Sequence, residues 1–405
     1  MEDYSIAELK TYVKVWFGVV SLDLSRKGLF RVPDAVTELT EVQELRLRNN
    51  NLTELPTSII KLKNLIGLHL YFNKLKELPS EIGDLKELRR LDVSWNQLVS
   101  LPTSIQKLNQ LESLYLSKNK LTELPSEIVD LKELWTLDVS NNQLAGLPTS
   151  IQKLNQLEEL NLSSNNFTEL PSEIGDLKKL RSLNVSNNQL VCLPTSIQKL
   201  NQLERLFLLG NKLTELPSEI GDLKELRMLN VSYNQLVGLP TSIQKLNQLE
   251  RLFLLEIKLT ELPSEIGDLK ELRCLYVSYN LLVSLPTSIQ KLNQLEDLDL
   301  SANNFTELPS EIGDLKKLRR LNVSHNQLVS LPTSIQKLNQ LEELDLSANK
   351  FTELPSEIGD LKALRKLNVS GNPLTSDAKH FLETKIKGMT GTLIKGEIVV
   401  KLLEW

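Results

Sequence analysis

Histidine and cysteine are the side chains that most often bind metals or act as bases and nucleophiles, and this sequence has few of them. They are His69, His325, His380, Cys192 and Cys274. None lies at a spacing from another that a zinc site uses. Cys274 is expected beside Arg251 and Asp297 on adjacent strands, with no histidine to activate its thiol. We therefore expect no enzyme activity, no metal and no cofactor.

Acidic and amide side chains recur at one strand position, where they could bind calcium. The column contains Asp92, Asp138, Asn161, Asn184, Asn230, Asp299, Asn322, Asp345 and Asn368. Calcium requires six to eight oxygens around the ion, whereas a regular sheet offers one side chain per strand. A solvated repeat position is therefore the preferred interpretation of this column.

These residues are positioned by a repeat of 23 residues. The pattern LxxLxLxxNxL returns without insertion from Val19 to Leu364 and gives sixteen units. A period of this length indicates leucine-rich repeats, in which each unit supplies a short parallel strand with its leucines inward and a returning turn. The predicted fold is an α/β repeat solenoid, a horseshoe with a concave parallel sheet and a convex side of 3₁₀ and irregular turns.

The motif LPxxIxxLxxLxxLxLxxNxL resembles the Ras-group, or LAP-like, leucine-rich repeats of Ras-pathway scaffolds, plant intracellular proteins and bacterial 23-residue repeat proteins. The resemblance implies a non-catalytic solenoid that binds proteins on its concave surface or rim. It also implies a ladder of hydrogen bonds from the repeated asparagine to the backbone. The ladder residues are Asn50, Asn73, Asn96, Asn119, Asn142, Asn165, Asn188, Asn211, Asn234, Asn280, Asn303, Asn326, Asn349 and Asn372. Lys27 and Ile257 depart from this pattern.

The two ends differ from the repeats, so three regions are predicted: an N-terminal helical cap at 1–18, sixteen repeats at 19–375, and a cap helix with a tail at 376–405. Ser5 to Glu8 match a capping box, and Ile6, Leu9, Val13 and Trp16 would share one helix face. At the other end Ser376 is the expected cap of a helix bearing Ala378, Phe381, Leu382 and Ile386, with Gly388 ending it. The tail could be a hairpin, a strand added to the cap, or the start of another domain.

Departures from the consensus at outward strand positions should mark a binding surface, since the inward positions are committed to the core. The ninth to twelfth units replace small or polar residues by apolar and aromatic ones. This predicted patch contains Phe207, Leu209, Met228, Tyr233, Arg251, Phe253, Leu255, Tyr276 and Tyr279. Aromatic residues can supply the centre of a protein interface, with Arg251 as a polar anchor. A substitution copied with the 46-residue block of two units is the alternative explanation.

A second, smaller cluster is predicted nearer the N-terminus. It contains His69, Tyr71, Phe72, Trp95, Tyr115 and Trp135. Units near a cap often vary, so this cluster is the weaker candidate for a protein-binding surface.

Composition is that of a folded protein, with 40% hydrophobic residues, 24% charged residues and a net charge of −5. No basic block favours nucleic acid, and no stretch has the length of a membrane span. The N-terminus lacks the features of a secretory signal, so a cytoplasmic location is expected. We predict a scaffold that binds a protein partner on its concave face. The alternatives are a self-associating protein such as a homodimer, and the recognition region of a longer GTPase or ligase.

Overall fold

The computed structural model describes residues 4–382 and 399–401. They belong to two compact units, Met1–Leu203 and Glu204–Trp405. Each unit consists of one parallel strand per repeat, followed by a 3₁₀ turn that returns the chain to the next strand. The fold class is the predicted repeat solenoid.

The first unit begins with a short helix and an antiparallel hairpin, and continues as parallel strands. Its elements are α1 (Ile6–Lys10), β1 (Val13–Trp16), β2 (Val19–Asp23), β3 (Glu44–Arg46), β4 (Gly67–His69), β5 (Arg90–Asp92), β6 (Ser113–Tyr115), β7 (Thr136–Asp138), β8 (Glu159–Asn161) and β9 (Ser182–Asn184). The 3₁₀ turns are Asp34–Glu38, Thr57–Lys61, Ser80–Asp84, Thr103–Lys107, Ser126–Asp130, Ile151–Lys153, Ser172–Asp176 and Thr195–Lys199.

The second unit has the same plan. Its elements are β10 (Arg205–Phe207), β11 (Met228–Asn230), β12 (Arg251–Phe253), β13 (Cys274–Tyr276), β14 (Asp297–Asp299), β15 (Arg320–Asn322), β16 (Glu343–Asp345), β17 (Lys366–Asn368), α2 (Ser376–Phe381) and β18 (Val399–Lys401). The 3₁₀ turns are Ser218–Asp222, Thr241–Lys245, Ser264–Asp268, Thr287–Lys291, Ser310–Asp314, Thr333–Lys337 and Ser356–Asp360.

The core of each repeat follows from the alternation of a strand. In the strand β12, Leu252 and the following Leu254 are fully buried, whereas Arg251 and Phe253 lie on the outer side of the sheet. The turn contributes Ile266 and Leu269, which are also fully buried. A proline precedes the turn, as Pro263 does here, and its fixed φ suits the extended residue before a helical turn. Sheet and turns therefore bury one continuous apolar layer between them.

The N-terminal cap differs from the prediction. The capping box is present, because the side chain of Ser5 accepts from the Glu8 N–H and Glu8 accepts from the Ser5 N–H. However, the helix ends at Lys10, and Val13–Trp16 is a strand that pairs antiparallel with Val19–Asp23. The prediction that Val13 and Trp16 continue the helix face is therefore wrong. Alternating β-branched residues favour a strand, and Gly18 has the positive φ that a tight hairpin turn needs.

The C-terminal cap also shifts by one residue. The helix α2 is capped by Thr375, whose side chain accepts from the Ala378 N–H at 3.2 Å, so Ser376 is its first residue rather than its cap. Ala378 and Leu382 are buried as predicted. Ile386 and Gly388 lie outside the described residues. In the tail, β18 pairs in parallel with β17, which is the added-strand alternative. No helix in the described ranges is long and apolar enough to cross a bilayer.

The predicted asparagine ladder is confirmed in both units. The Asn280 amide shows its geometry: the NH₂ group donates to the carbonyls of Val277 and Leu254, at 2.9 and 2.7 Å, in its own and the preceding repeat. Its oxygen accepts from the Leu259 N–H at 3.0 Å. Asn280 is only 6% exposed. Each ladder amide thus satisfies buried backbone groups of two neighbouring repeats at once.

Ile257 interrupts the ladder, and the backbone around it changes. Asn280 accepts from the Ile257 N–H as well, at 3.1 Å. Glu256 and Lys258 both have positive φ, 50° and 65°, whereas an intact repeat has one such residue before its asparagine. The Leu236 N–H, which a ladder asparagine at 257 would bind, has no partner among the residues described. The gap therefore leaves one buried donor unsatisfied and places a lysine in a left-handed conformation.

Ile257→Asn should restore the ladder and raise the free energy of unfolding by about 1–3 kcal/mol, because the Leu236 N–H regains an acceptor. Chemical denaturation of the variant and the wild type measures this. The strand face should be unchanged, since residue 257 points into the turn. A lower denaturation midpoint would show that the buried isoleucine contributes more than the missing hydrogen bonds.

Close packing between the turns depends on glycine. A β-carbon added to Gly267 would lie 2.3 Å from the carbonyl oxygen of Ser288 in the next turn. Gly83, Gly175, Gly221 and Gly313 have the same relation to the following serine. The fifth turn has Val129 at this position, and the next turn is shortened to Ile151–Lys153 and lacks the proline cap. A larger residue here therefore coincides with a displaced neighbouring turn.

Gly267→Val should lower the free energy of unfolding by about 1–3 kcal/mol, because the new side chain forces two turns apart. Gly359→Val is the matched control, since no described residue other than its chain neighbours has an atom within 4 Å of the added β-carbon. Thermal unfolding of both variants measures the difference. Equal stabilities for the two variants would contradict a packing role for Gly267.

Candidate functional site

The strand face of the second unit, meaning the outward side of β10 to β17, contains the predicted patch. Phe253 and Tyr276 are directly opposite each other on β12 and β13, and their rings stack at 5.1 Å with an interplanar angle of 14°. Both side chains are partly exposed. This stacked pair is an apolar platform on an otherwise polar sheet.

Two tyrosines project beyond the strands of the same face. Tyr233 and Tyr279 each precede a ladder asparagine, at left-handed positions with φ of 56° and 57°. They are 50% and 62% exposed, more than the aromatic residues on the strands themselves. The turn conformation directs them away from the packed part of the repeat, so they lie at the edge of the strand face, with Glu256 at the equivalent position of the repeat between them.

The patch is less continuous than the sequence predicts. In the parallel register Asn230 stands between Phe207 and Phe253, so those two rings are not adjacent. Leu209 and Leu255 occupy alternate repeats on either side of Ser232, which is only 1% exposed and accepts from the Leu255 N–H at 3.1 Å. Met228 and Arg251 are in register on β11 and β12. The apolar surface is therefore concentrated at Phe253, Leu255 and Tyr276.

A polar groove of about 490 Å³ adjoins the stacked pair and was not predicted. Tyr276 donates its hydroxyl hydrogen to Asp297, which also accepts from Nε of Arg320 at 2.8 Å. Asp297 is 6% exposed. On the next strands Lys366 binds Glu343 at 2.7 Å. Burial and the neighbouring Asp297 raise the pKa of the Tyr276 hydroxyl, so it remains a hydrogen-bond donor.

Asp299 lies in the same groove and, among the residues that the structure describes, forms no ion pair. It accepts from the Ser301 N–H at 2.9 Å. Burial first, and the charges of Asp297 and Asp345 after it, raise the pKa of the Asp299 carboxyl, although its bonds to Ser301 oppose the rise. Arg320 and Lys366 are engaged by Asp297 and Glu343. The ionised Asp299 is thus held at an electrostatic cost in the free protein.

The sequence does contain a signal for this groove. Asp297, Arg320, Glu343 and Lys366 alternate in charge at a spacing of 23 residues, which places them side by side on successive strands. The neighbouring column shows that such rows do pair, since Arg227 binds Glu250 at 2.7 Å and Arg273 binds Glu296 at 3.2 Å. The alternating charges along this outward column of the sequence therefore predict the groove.

The smaller predicted cluster lies in the first unit, and its members separate into different environments. Tyr71, Phe72 and Trp95 are in mutual ring contact, with centroids 5.6 to 6.2 Å apart. Lys118 lies over the Trp95 ring at 3.8 Å. His69 is only 5% exposed, so its placement on a binding surface is wrong.

His69 instead takes part in a buried network. Its Nε2 is 2.7 Å from Glu44 and its Nδ1 is 2.8 Å from Arg48. The guanidinium carbon of Arg90 lies 4.8 Å from the centre of the Tyr115 ring. Trp135 is 45% exposed and belongs to the column of alternating charges, so it is not beside the other rings. The first unit therefore presents a trio of aromatic residues instead of a six-residue cluster.

The remaining chemical candidates do not assemble. Cys274 is partly buried, and its pKa is raised by burial and by Asp297, so the thiol stays protonated near neutral pH. In the described part of the chain, no three histidine, cysteine, aspartate or glutamate residues are arranged to hold a metal ion.

Comparison with known proteins identifies the family. A model of the leucine-rich repeat region matches residues 151–231 and 287–390, and a leucine rich repeat model matches 40–98 and 100–144. A leucine-rich repeat protein of Leptospira interrogans is 38% identical over 98% of both chains, with a TM-score of 0.90. The chain is a leucine-rich repeat protein. No curated protein matches it.

Other solved structures share the repeat fold at lower similarity. The ectodomain of the Arabidopsis receptor kinase HAESA, in complex with an IDA peptide hormone ligand, is 32% identical over 84% of this chain and 60% of its own, with a TM-score of 0.66. An internalin of Listeria monocytogenes is 25% identical over 80% of this chain and 89% of its own, with a TM-score of 0.67. Leucine-rich repeats generally mediate protein–protein interaction, and such domains are typically non-catalytic.

Asp299→Asn should stabilise the protein near pH 7, because it removes a carboxylate whose ionised form is disfavoured in the folded state. Asparagine is native at the equivalent position 322, where it accepts from the Ser324 N–H, so the local hydrogen bond is retained. The folded pKa of Asp299 is raised, so its penalty disappears as the pH falls through that pKa. The gain in melting temperature should therefore shrink toward about pH 4. A variant less stable than wild type near pH 7 would contradict this account.

Proposed function

We propose that the strand face of the second unit, the predicted concave face, binds a protein partner without catalysis. The observation that carries the proposal is the stacked pair of Phe253 and Tyr276, with Leu255 beside it and Tyr233 and Tyr279 exposed at the edge. Aromatic residues that are covered in a complex bury roughly 150–250 Å² each, which suffices for the centre of an interface. Apolar groups in this arrangement stabilise a complex rather than the free protein.

Polar groups around the platform support specificity. Arg251 is exposed beside Cys274 and can act as an anchor at the rim. The groove formed by Asp297 and Arg320 begins at Tyr276, so a segment that covers the aromatic pair meets a charged surface on the adjoining strands. Complementary charge at the edge of an apolar centre favours one partner over others.

The similar proteins point in the same direction. One solved structure at 32% identity contains a peptide hormone ligand, which supports proteins or peptides as the class of partner. We propose the cytoplasm as its location, which the two free cysteines, Cys192 and Cys274, favour.

The test is a double substitution, Phe253→Asp with Leu255→Asp. Charged residues on the platform should reduce partner capture at least tenfold, because their carboxylates must be desolvated in the complex. Partners recovered from lysate by the wild type and by the variant are compared by quantitative mass spectrometry. The melting temperature should change little, since both side chains are on the outer side of the sheet.

Asn161→Asp with Ser163→Asp is the matched control. These residues occupy the equivalent positions of β8 in the first unit, where no apolar platform exists. The control should capture the same proteins as the wild type. Loss of the platform without loss of any partner would refute the proposal, as would a large drop in stability that showed Phe253 and Leu255 to be core residues.

A further inference from the structure

The N-terminal hairpin leaves a strand edge open at the end of the first unit. The strand β1 pairs antiparallel with β2, with Trp16 opposite Val19 and Lys14 opposite Ser21. Phe17 and Gly18 form the connecting turn, with φ of 48° and 80°. Among the described residues, β1 has no strand on its other side. An unpaired edge is a template for pairing with another chain.

The register shows which backbone groups face outward. Val20 donates its N–H to the Gln43 side chain at 3.0 Å and accepts from the Gln43 N–H at 2.8 Å, so both of its groups point away from β1. In an antiparallel pair, two opposed residues either hydrogen-bond to each other or both direct their N–H and C=O groups away from each other. Val15, which is opposite Val20, therefore directs its N–H and C=O away from β2 and toward the open edge.

The side chains at this edge are apolar and exposed. Val15 is 67%, Trp16 73% and Phe17 94% exposed, and the two rings contact edge to face at 5.7 Å. Lys14 is the only charged residue on the strand. Edge strands are commonly protected by charge, proline or a covering element, and β1 has little such protection.

We propose that a second copy of this chain pairs with β1 through a two-fold axis at Val15. This places Val15 opposite Val15 of the second copy and Lys14 opposite its Trp16, with Val13 beside the turn that contains its Phe17. Each lysine then lies against an indole face, a favourable cation–π pair, while Val13 covers the phenyl ring. The outward N–H and C=O of Val15 are satisfied reciprocally.

Other antiparallel registers fit less well. An axis at Lys14 puts two lysines directly opposite each other, which is repulsive. An axis at Val13 leaves both aromatic rings beyond the paired residues. Only the Val15 register uses every apolar group of the strand, and this self-complementarity favours a second copy over an unrelated protein.

The available area predicts a weak dimer. At their observed exposure Trp16 and Phe17 present about 350 Å² per copy, so the rings of two copies bring roughly 700 Å² to the interface. Strand pairing adds Val13, Val15 and backbone. The total is near the lower end of about 1,000–1,200 Å² for specific interfaces, which corresponds to micromolar rather than nanomolar dissociation.

The experiment is sedimentation velocity of the full chain from about 1 to about 200 µM, the range in which weak dimers dissociate. The wild type should change from monomer to dimer across it. Trp16→Lys should raise the dissociation constant at least tenfold, because it opposes two lysines. Adding Lys14→Glu to Trp16→Lys should recover much of the affinity, because glutamate then faces lysine in the Val15 register.

Val237→Lys is the control, since it places the same charge at a valine that is 79% exposed in the second unit. It should dimerise as the wild type does. A wild type that remains monomeric up to about 200 µM overturns the proposal. Unchanged dimerisation of the Trp16→Lys variant also overturns it. The same holds if adding Lys14→Glu to Trp16→Lys does not restore dimer affinity. If Phe253→Asp with Leu255→Asp abolishes the dimer instead, the second copy binds the platform and not β1.

Discussion

A single buried amide per repeat is the constraint on which this structure depends. Stacked leucines are apolar and do not fix how far or at what angle one strand follows another, whereas the Asn280 amide must meet two carbonyls and an N–H at fixed positions. It therefore sets the register of three chain segments in one step. The left-handed residue before each asparagine, the short strand and the proline-capped turn all follow once this amide is in place.

On the opposite side, the turns of alternate repeats are fixed by steric fit instead of hydrogen bonding. Gly267 and its equivalents allow the turns to approach until a carbonyl fills the space of a side chain. Together with the buried leucines and isoleucines, these residues occupy the inward positions, so variation is concentrated in the outward columns. There the residues can be unfavourable in the free protein, as the poorly compensated Asp299 is, because the fold does not depend on them.

Sequence patterns anticipated the parts of the molecule that the repeat enforces. The strands and the buried leucines followed from spacing, since each inward position has one geometric role. The ladder followed from the resemblance to known leucine-rich repeats. The hairpin did not, because Ile6, Leu9, Val13 and Trp16 satisfy a helical period as well as a strand after a turn. The burial of His69 and the position of Asn230 between Phe207 and Phe253 depend on residues of adjacent repeats, which the pattern of a single unit does not include. The groove was missed for the same reason.

The left-handed residue before the ladder asparagine has a consequence for how such a surface changes over time. In the second unit this position is occupied by Gly210, Tyr233, Tyr279, Ala302, His325, Ala348 and Gly371, which range in size from glycine to tyrosine. The backbone conformation directs this side chain away from the core. A substitution there therefore changes contacts with solvent or with a partner and leaves the packing of the fold unchanged. The repeats thus have, along one edge, a set of positions whose side chains can change independently of one another. Binding specificity can therefore change by single substitutions at these positions, while the neighbouring asparagine maintains the repeat fold.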